Sequence, residues 1–123
     1  MSPSRVERRK RRSNNQLIAL RFQLETTKQQ ASLRALALST EDGLLLAWAG
    51  DDTECEELGA VAPVLGDGPH QGIQLAAEPN VDVREFELQG HRLFLSSCGG
   101  LSDAHAQLGG SVLGVERILS NAA

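Results

Sequence analysis

Residues 32–65 read SLRALALSTEDGLLLAWAGDDTECEELGAVAPVL, and the fold turns on how this stretch is parsed. Arg34, Leu36 and Leu38 alternate with Ala35 and Ala37, the period-two signature of a strand. Thr40-Glu41-Asp42-Gly43 supplies turn chemistry, because glycine tolerates the positive φ that closes a hairpin. Leu44 to Ala49 is an unbroken apolar run, which predicts a central strand buried on both faces. Asp51, Asp52 and Thr53 are helix-capping residues, Thr53 with Glu56 fits a reciprocal capping box, and Cys55, Leu58, Val61, Ala62 and Leu65 then recur at helical spacing. The expectation is strand, tight turn, strand, helix, built from residues that are architectural rather than reactive.

The flanks extend this unit. Ser13-x-x-Gln16 reads as another capping box, predicting a first helix from about Asn14 to about Gln30. Leu17, Leu20, Leu24 and Ala31 form its apolar stripe, Ile18 and Phe22 widen it, and Gln23, Thr27, Lys28 and Gln30 make a solvated face. Downstream, Pro63 removes a backbone donor and predicts that the second helix kinks or ends there. Gly66 to Gly72 reads as a mobile loop that lacks the Gly-Lys-Ser/Thr ending of a phosphate-binding loop. Ile73 to Ala77 predicts one helical turn before Pro79-Asn80. Val81 to Leu88 alternates, with a shift between Val83 and Phe86 of the kind a bulge produces. Gln89-Gly90 turns the chain, and His91 to Ser97 returns with Leu93 and Leu95 on one face and Phe94 on the other. Ser102 and Asp103 cap a last helix with an apolar stripe of Leu108, Val112, Val115, Ile118 and Leu119. Gly109, Gly110 and Gly114 each weaken that helix by about 1 kcal/mol relative to alanine. They admit a close neighbour or break the helix near Gly109. The order α, ββ, α, ββ, α predicts an α+β fold, a three-layer α/β/α sandwich around one antiparallel sheet of four or five strands.

At 123 residues, 41% hydrophobic and 23% charged, the chain has the size and polarity of one globular domain. Its charge is lopsided. Arg5, Arg8, Arg9, Lys10, Arg11 and Arg12 stand against Glu7, so residues 1–12 carry +5 and the rest carries -9 of the total -4. The predicted organisation is therefore a basic, disordered arm at 1–12 and a domain at 13–123, the arm becoming helical only on a partner. Two readings of the arm stay open: a solubilising tail, or an electrostatic contact with an acidic protein, an anionic membrane or nucleic acid. The arm has no aromatic residue to stack on bases, which argues against nucleic acid. No apolar run approaches the roughly 18 residues needed to span a bilayer, and Arg21 interrupts the only cluster placed like a secretory signal. A cytoplasmic protein is expected, with Cys55 and Cys98 as small buried residues and a bridge between them left open.

The search for chemistry yields little. His91, Cys98 and His105 match no zinc spacing, and a nucleophilic Cys98 with a histidine base competes with a buried strand-end thiol. No catalytic residue, metal or cofactor is expected. Glu54, Glu56 and Glu57 complement the dipole at the start of the second helix, and also offer an acidic surface to a basic partner.

The strand ending in Leu38-Ser39-Thr40, the Asp42-Gly43-Leu44 turn leading into an apolar strand, Gly50, the CEELGAVAPVL helix and Gly114-Val115-Glu116-Arg117-Ile118-Leu119 together resemble the roadblock-type dynein light-chain superfamily, over roughly residues 14–121. These are fold-determining features with no catalytic signature. The resemblance implies about five strands between a central helix and the terminal helices, four of them evident here, with the fifth either within 81–88, after Gly100, or absent. It implies a homodimer with sheets joined edge to edge and central helices side by side. Val81, Val83 and Glu85 would then be edge-pairing candidates, and Cys55, Leu58 and Val61 would pack against the sheet or across the dimer. It also implies action on a Ras-like small GTPase as regulator or scaffold, for which Asp52, Glu54 and Glu57 are the contact candidates. Arg34, Arg84 and Arg92 fall in strands or turns, where no arginine finger is indicated. Two rivals are an adaptor tethered by Arg5–Arg12 in a larger complex and a small-molecule domain with Gly66–Gly72 as a lid over His91 and Cys98.

Overall fold

The computed structural model describes residues 5–71, 80–100 and 104–120, with side chains described from residue 15 and, in the last helix, from residue 108. The expected helical turn at Ile73–Ala77 and the cap at Ser102 and Asp103 lie outside the described residues. The elements are α1 (Arg5–Gln30), β1 (Leu33–Thr40), β2 (Leu45–Ala49), α2 (Asp52–Leu65), β3 (Gly68–His70), β4 (Val81–Leu88), β5 (His91–Gly99) and α3 (Ala104–Ser120). The strands form one five-stranded sheet in the order β2-β1-β5-β4-β3, antiparallel throughout.

The quoted stretch folds as strand, turn, strand, helix. Thr40 closes its turn, donating its N–H to the Leu44 carbonyl at 3.0 Å and accepting from Gly43 at 2.9 Å. β2, however, is an edge strand, and Leu44 lies outside it and is exposed. Its apolar run needs no second neighbouring strand, because α1 covers one face and α2 the other. A register shift opposite Leu38 and Ser39 leaves Leu46 as the extra residue on β2. Of the three capping candidates Asp51 serves, its Oδ2 accepting from the Glu54 N–H at 3.1 Å, and α2 begins at Asp52. Asp51-x-x-Glu54 competed with Thr53-x-x-Glu56 for that role, and the aspartate ahead of the first turn won. Pro63 neither ends nor breaks α2. It sits in the last turn, which Gly66 closes by donating its N–H to the Ala62 carbonyl at 2.9 Å.

The two sheet faces are built differently. Cys55, Leu58 and Ala62 of α2 pack on Ala35, Ala37, Val81, Val83, Phe94 and Cys98 of the sheet, and the small side chains of β1 let the helix approach closely. On the other face, Leu36, Leu38, Leu93 and Leu95 meet Leu20 and Leu24 of α1 and Leu108 and Val115 of α3. Each such fully buried aliphatic side chain contributes about 1.5–3 kcal/mol. β4 serves both clusters in unbroken register from Val81↔Cys98 to Leu88↔His91. Val81 and Val83 go under α2, whereas Phe86 and Leu88 go under the other helices. The expected bulge is therefore absent: the apolar residues change face because both faces are covered, not because the strand shifts. The fifth strand is β3, inside the stretch read as a mobile loop.

α1 and α3 share their face as antiparallel neighbours. Thr27 and Ser111, both buried, are hydrogen-bonded at 2.9 Å. At Gly114 an added Cβ would lie 2.5 Å from Gln23 Oε1, so the glycine serves close approach and α3 runs on unbroken. Gln23 and Thr27 thus form this seam rather than a solvated face. Ile18 and Phe22 do not widen the core stripe; they are 66% and 75% exposed. At 100° per residue Phe22 points about 180° away from the centre of the Leu20–Leu24–Thr27–Ala31 stripe. α1 also begins at Arg5, with Ser13 inside it, since the residues between Arg5 and Asn14 include no helix breaker. Residues 5–12, within the expected arm, are continuous with the first helix.

Candidate functional site

The three residues proposed for chemistry do not meet. His91 opens β5 and Cys98 lies near its far end, seven residues and roughly 23 Å away along an extended strand. The His105 side chain is outside the described ones. Cys55 and Cys98 are both buried thiols rather than a disulfide. Burial pushes the Cys55 thiol up to about 11, and a thiol so hard to ionise is no nucleophile. Among the described residues no group of three His, Cys, Asp or Glu side chains could hold a metal ion. The proposed lid is occupied structurally: Gly68–His70 is β3, and the His70 ring donates from Nε2 to the Gly66 carbonyl at 2.8 Å. An open cleft of about 510 Å³ lies at the end of the sheet, between Leu44 and Leu46 on one side and Leu88, Leu93 and Leu119 on the other. Its arginine, Arg92, is held by Glu85 and lies 3.9 Å from Glu41.

What the fold does present is the outer face of α2. Thr53, Glu56, Glu57, Ala60 and Val64 are exposed along it, with Val61 half-buried beside them. These positions recur at three- and four-residue intervals and make one stripe. Its N-terminal half is acidic and its C-terminal half is small and apolar, and Val64, at 83%, is the most exposed large hydrophobic residue described. Three residues beyond the helix, β3 forms the outer edge of the sheet, so the apolar half of α2 leads directly into a strand that pairs, among the described residues, with β4 alone.

The expected contact residues divide. Glu57 is exposed on this stripe. Asp52 is exposed but accepts from the Trp48 indole N–H at 2.8 Å, an interaction flanked by the Arg21 guanidinium over the same ring. Glu54 is turned inward, receiving Arg34 Nε at 2.9 and 3.0 Å and Arg34 Nη2 at 2.5 Å. This clamp ties the start of α2 to β1. Of the expected edge-pairing residues, Val81 and Val83 are fully buried, and the edge beside them is taken by β3 through Gly68↔Val83 and His70↔Val81. The Glu85 N–H donates to Asp67 Oδ1 at 2.9 Å and its carboxylate pairs with Arg92. Leu58 is buried on the inner face of α2, and Val61 alone of the five has surface on the stripe. Sequence reasoning passed over Ala60 and Val64. Their spacing from Glu57 was legible, but an apolar residue on a helix is read as core until the packing partner is known.

Neither a protein-family model nor a curated protein sequence matches the chain. Among solved structures, MglB from Myxococcus xanthus superposes with a TM-score of 0.61 at 12% identity, covering 87% of this chain and 92% of that one. An MglB with a tetrameric arrangement gives 0.64 at 18% identity, covering 88% and 93%. Identities this low speak to the fold alone.

Proposed function

We propose that this chain, which has the roadblock-type fold, regulates or scaffolds a Ras-like small GTPase as a homodimer and does no chemistry itself. The observation that carries this reading is the exposed face of α2, acidic then apolar, running into β3, the outer strand of the sheet among the described residues. A second copy pairing along β3 extends the sheet through backbone hydrogen bonds. The same pairing brings Ala60, Val61 and Val64 of the two α2 helices together and removes the most exposed apolar side chain from water. Two helices side by side then form a platform whose acidic ends, Asp52, Glu56 and Glu57, meet a basic patch on the GTPase. The arginines that could serve as a finger are engaged within the chain: Arg34 by Glu54, Arg92 by Glu85, and Arg84 against Gly109 of α3. Any acceleration of GTP hydrolysis would come from positioning the GTPase's own switch loops.

Light scattering with pull-down tests this. The wild-type chain gives a dimer mass, and V64D gives a monomer with an unchanged melting temperature. E56K/E57K keeps the dimer but loses nucleotide-dependent capture of Ras-like GTPases loaded with GDP or a GTP analogue. A wild-type monomer at all concentrations, or capture indifferent to both variants and to nucleotide, overturns the proposal.

A further inference from the structure

The fold places the two charge extremes of the chain on opposite faces of one sheet. α1, which contains Arg5, Arg8, Arg9, Lys10, Arg11 and Arg12, packs on the Leu36–Leu38 face. α2, which carries Asp52, Glu54, Glu56 and Glu57 and no basic residue, packs on the Ala35–Ala37 face. The helix that holds the basic run also holds Ile18 and Phe22, exposed on the side away from the core. By helical position, Arg8, Arg11, Ile18 and Phe22 fall within about 80° of one another, on the flank opposite Leu20, Leu24, Thr27 and Ala31. From Arg8 to Phe22 is about 21 Å of continuous helix.

From this arrangement we infer that the outer face of α1 docks on an anionic lipid surface, the flank of Arg8 and Arg11 on the headgroup side and Ile18 and Phe22 in the interface. A basic helix with an apolar pair on the same side has the composition of an interfacial helix. Lipid is favoured over nucleic acid because phosphate contacts alone use only the basic half and leave Ile18 and Phe22 in water. It is favoured over a second copy because like-charged α1 helices repel along their basic halves. The acidic face of α2 strengthens the orientation: an anionic surface repels Glu56 and Glu57, so the molecule sits with α1 down and α2 facing the solvent. The membrane side and the partner side are then separated by the thickness of the sheet, and the inference does not depend on what α2 binds.

The test is co-sedimentation of the full chain with vesicles of phosphatidylcholine alone and of equimolar phosphatidylcholine and phosphatidylglycerol. Binding is expected only to the anionic vesicles and is lost as salt rises from about 0.1 M to about 1 M. R8Q/R11Q weakens it by about 30-fold, from the roughly fivefold that each basic residue near the surface provides. F22S weakens it about tenfold with an unchanged melting temperature, because the ring is outside the core. Equal binding to both vesicle types, no sedimentation, or indifference to F22S overturns the inference. So does tighter binding to duplex DNA that F22S leaves untouched, or a concentration-dependent rise in mass that F22S abolishes while vesicle binding persists.

Discussion

Gly50 joins β2 to α2 and sets the angle at which the acidic helix leaves the sheet. Its φ is +119°, a region that side-chain-bearing residues enter only with strain of about 1–3 kcal/mol. The space is also closed. A Cβ built there would lie 3.0 Å from the Arg34 carbonyl oxygen and 3.1 Å from the Ala35 Cα. Both atoms belong to β1, held between β2 and β5, so the backbone has no room to retreat. Overpacking of this kind adds about 1–3 kcal/mol. G50A is therefore expected to lose about 2–6 kcal/mol, a large share of the roughly 5–15 kcal/mol that holds a domain folded. At about 4 °C per kcal/mol, the melting temperature should fall by about 8–24 °C. G90A is the matched control, because Gly90 also has a positive φ of +82° but nothing within 4 Å of its added Cβ. Urea titration of both variants, at one fixed protein concentration, isolates the packing component. If G50A is no less stable than G90A, the close approach of the β2–α2 turn to β1 does not constrain the fold, and the reasoning fails.

Two further outcomes follow from the same geometry. Below pH 9 the Cys55 thiol is protonated in folded and unfolded chains alike, but between 9 and about 11 only the unfolded chain ionises. Stability should fall across that window by about 2–3 kcal/mol and level off above it. Comparing urea midpoints of wild type and C55A from pH 8 to pH 11 checks this, and parallel curves would show that the thiol is not buried. The Arg34–Glu54 clamp is bidentate but its arginine is 43% exposed, so E54Q should cost no more than about 1 kcal/mol. That cost should shrink in about 1 M salt, and a larger, salt-independent loss in thermal melts would contradict a surface ion pair.

Much of the architecture was legible because it is local. The hairpin at Thr40–Gly43, the helical spacing from Cys55 to Leu65, and the split of Leu93 and Leu95 from Phe94 are written in periods of 2 and 3.6 residues, which neighbours along the chain enforce. The separation of His91 from Cys98 was legible too, since the two fall seven residues apart on one strand. Less was legible in the candidate site. Glu57 could be placed on an exposed face by spacing, but Glu54 looked equivalent until Arg34, twenty residues away in sequence, was brought beside it.

The sequence by itself determined the order of elements, the α+β class, the acidic start of α2 and the basic run at Arg5–Arg12, because these follow from composition and short-range periodicity. Tertiary structure alone decided that β2 is an edge, that Gly68-Pro69-His70 is a strand, and that Phe86 and Val83 serve opposite cores. Each of those depends on a partner distant along the chain: β1 and both helices for the edge, Val81–Val83 for β3, and α2 against α3 for β4. The same holds for the opposition of basic α1 and acidic α2. A one-dimensional charge imbalance becomes a two-sided molecule only when the sheet comes between them.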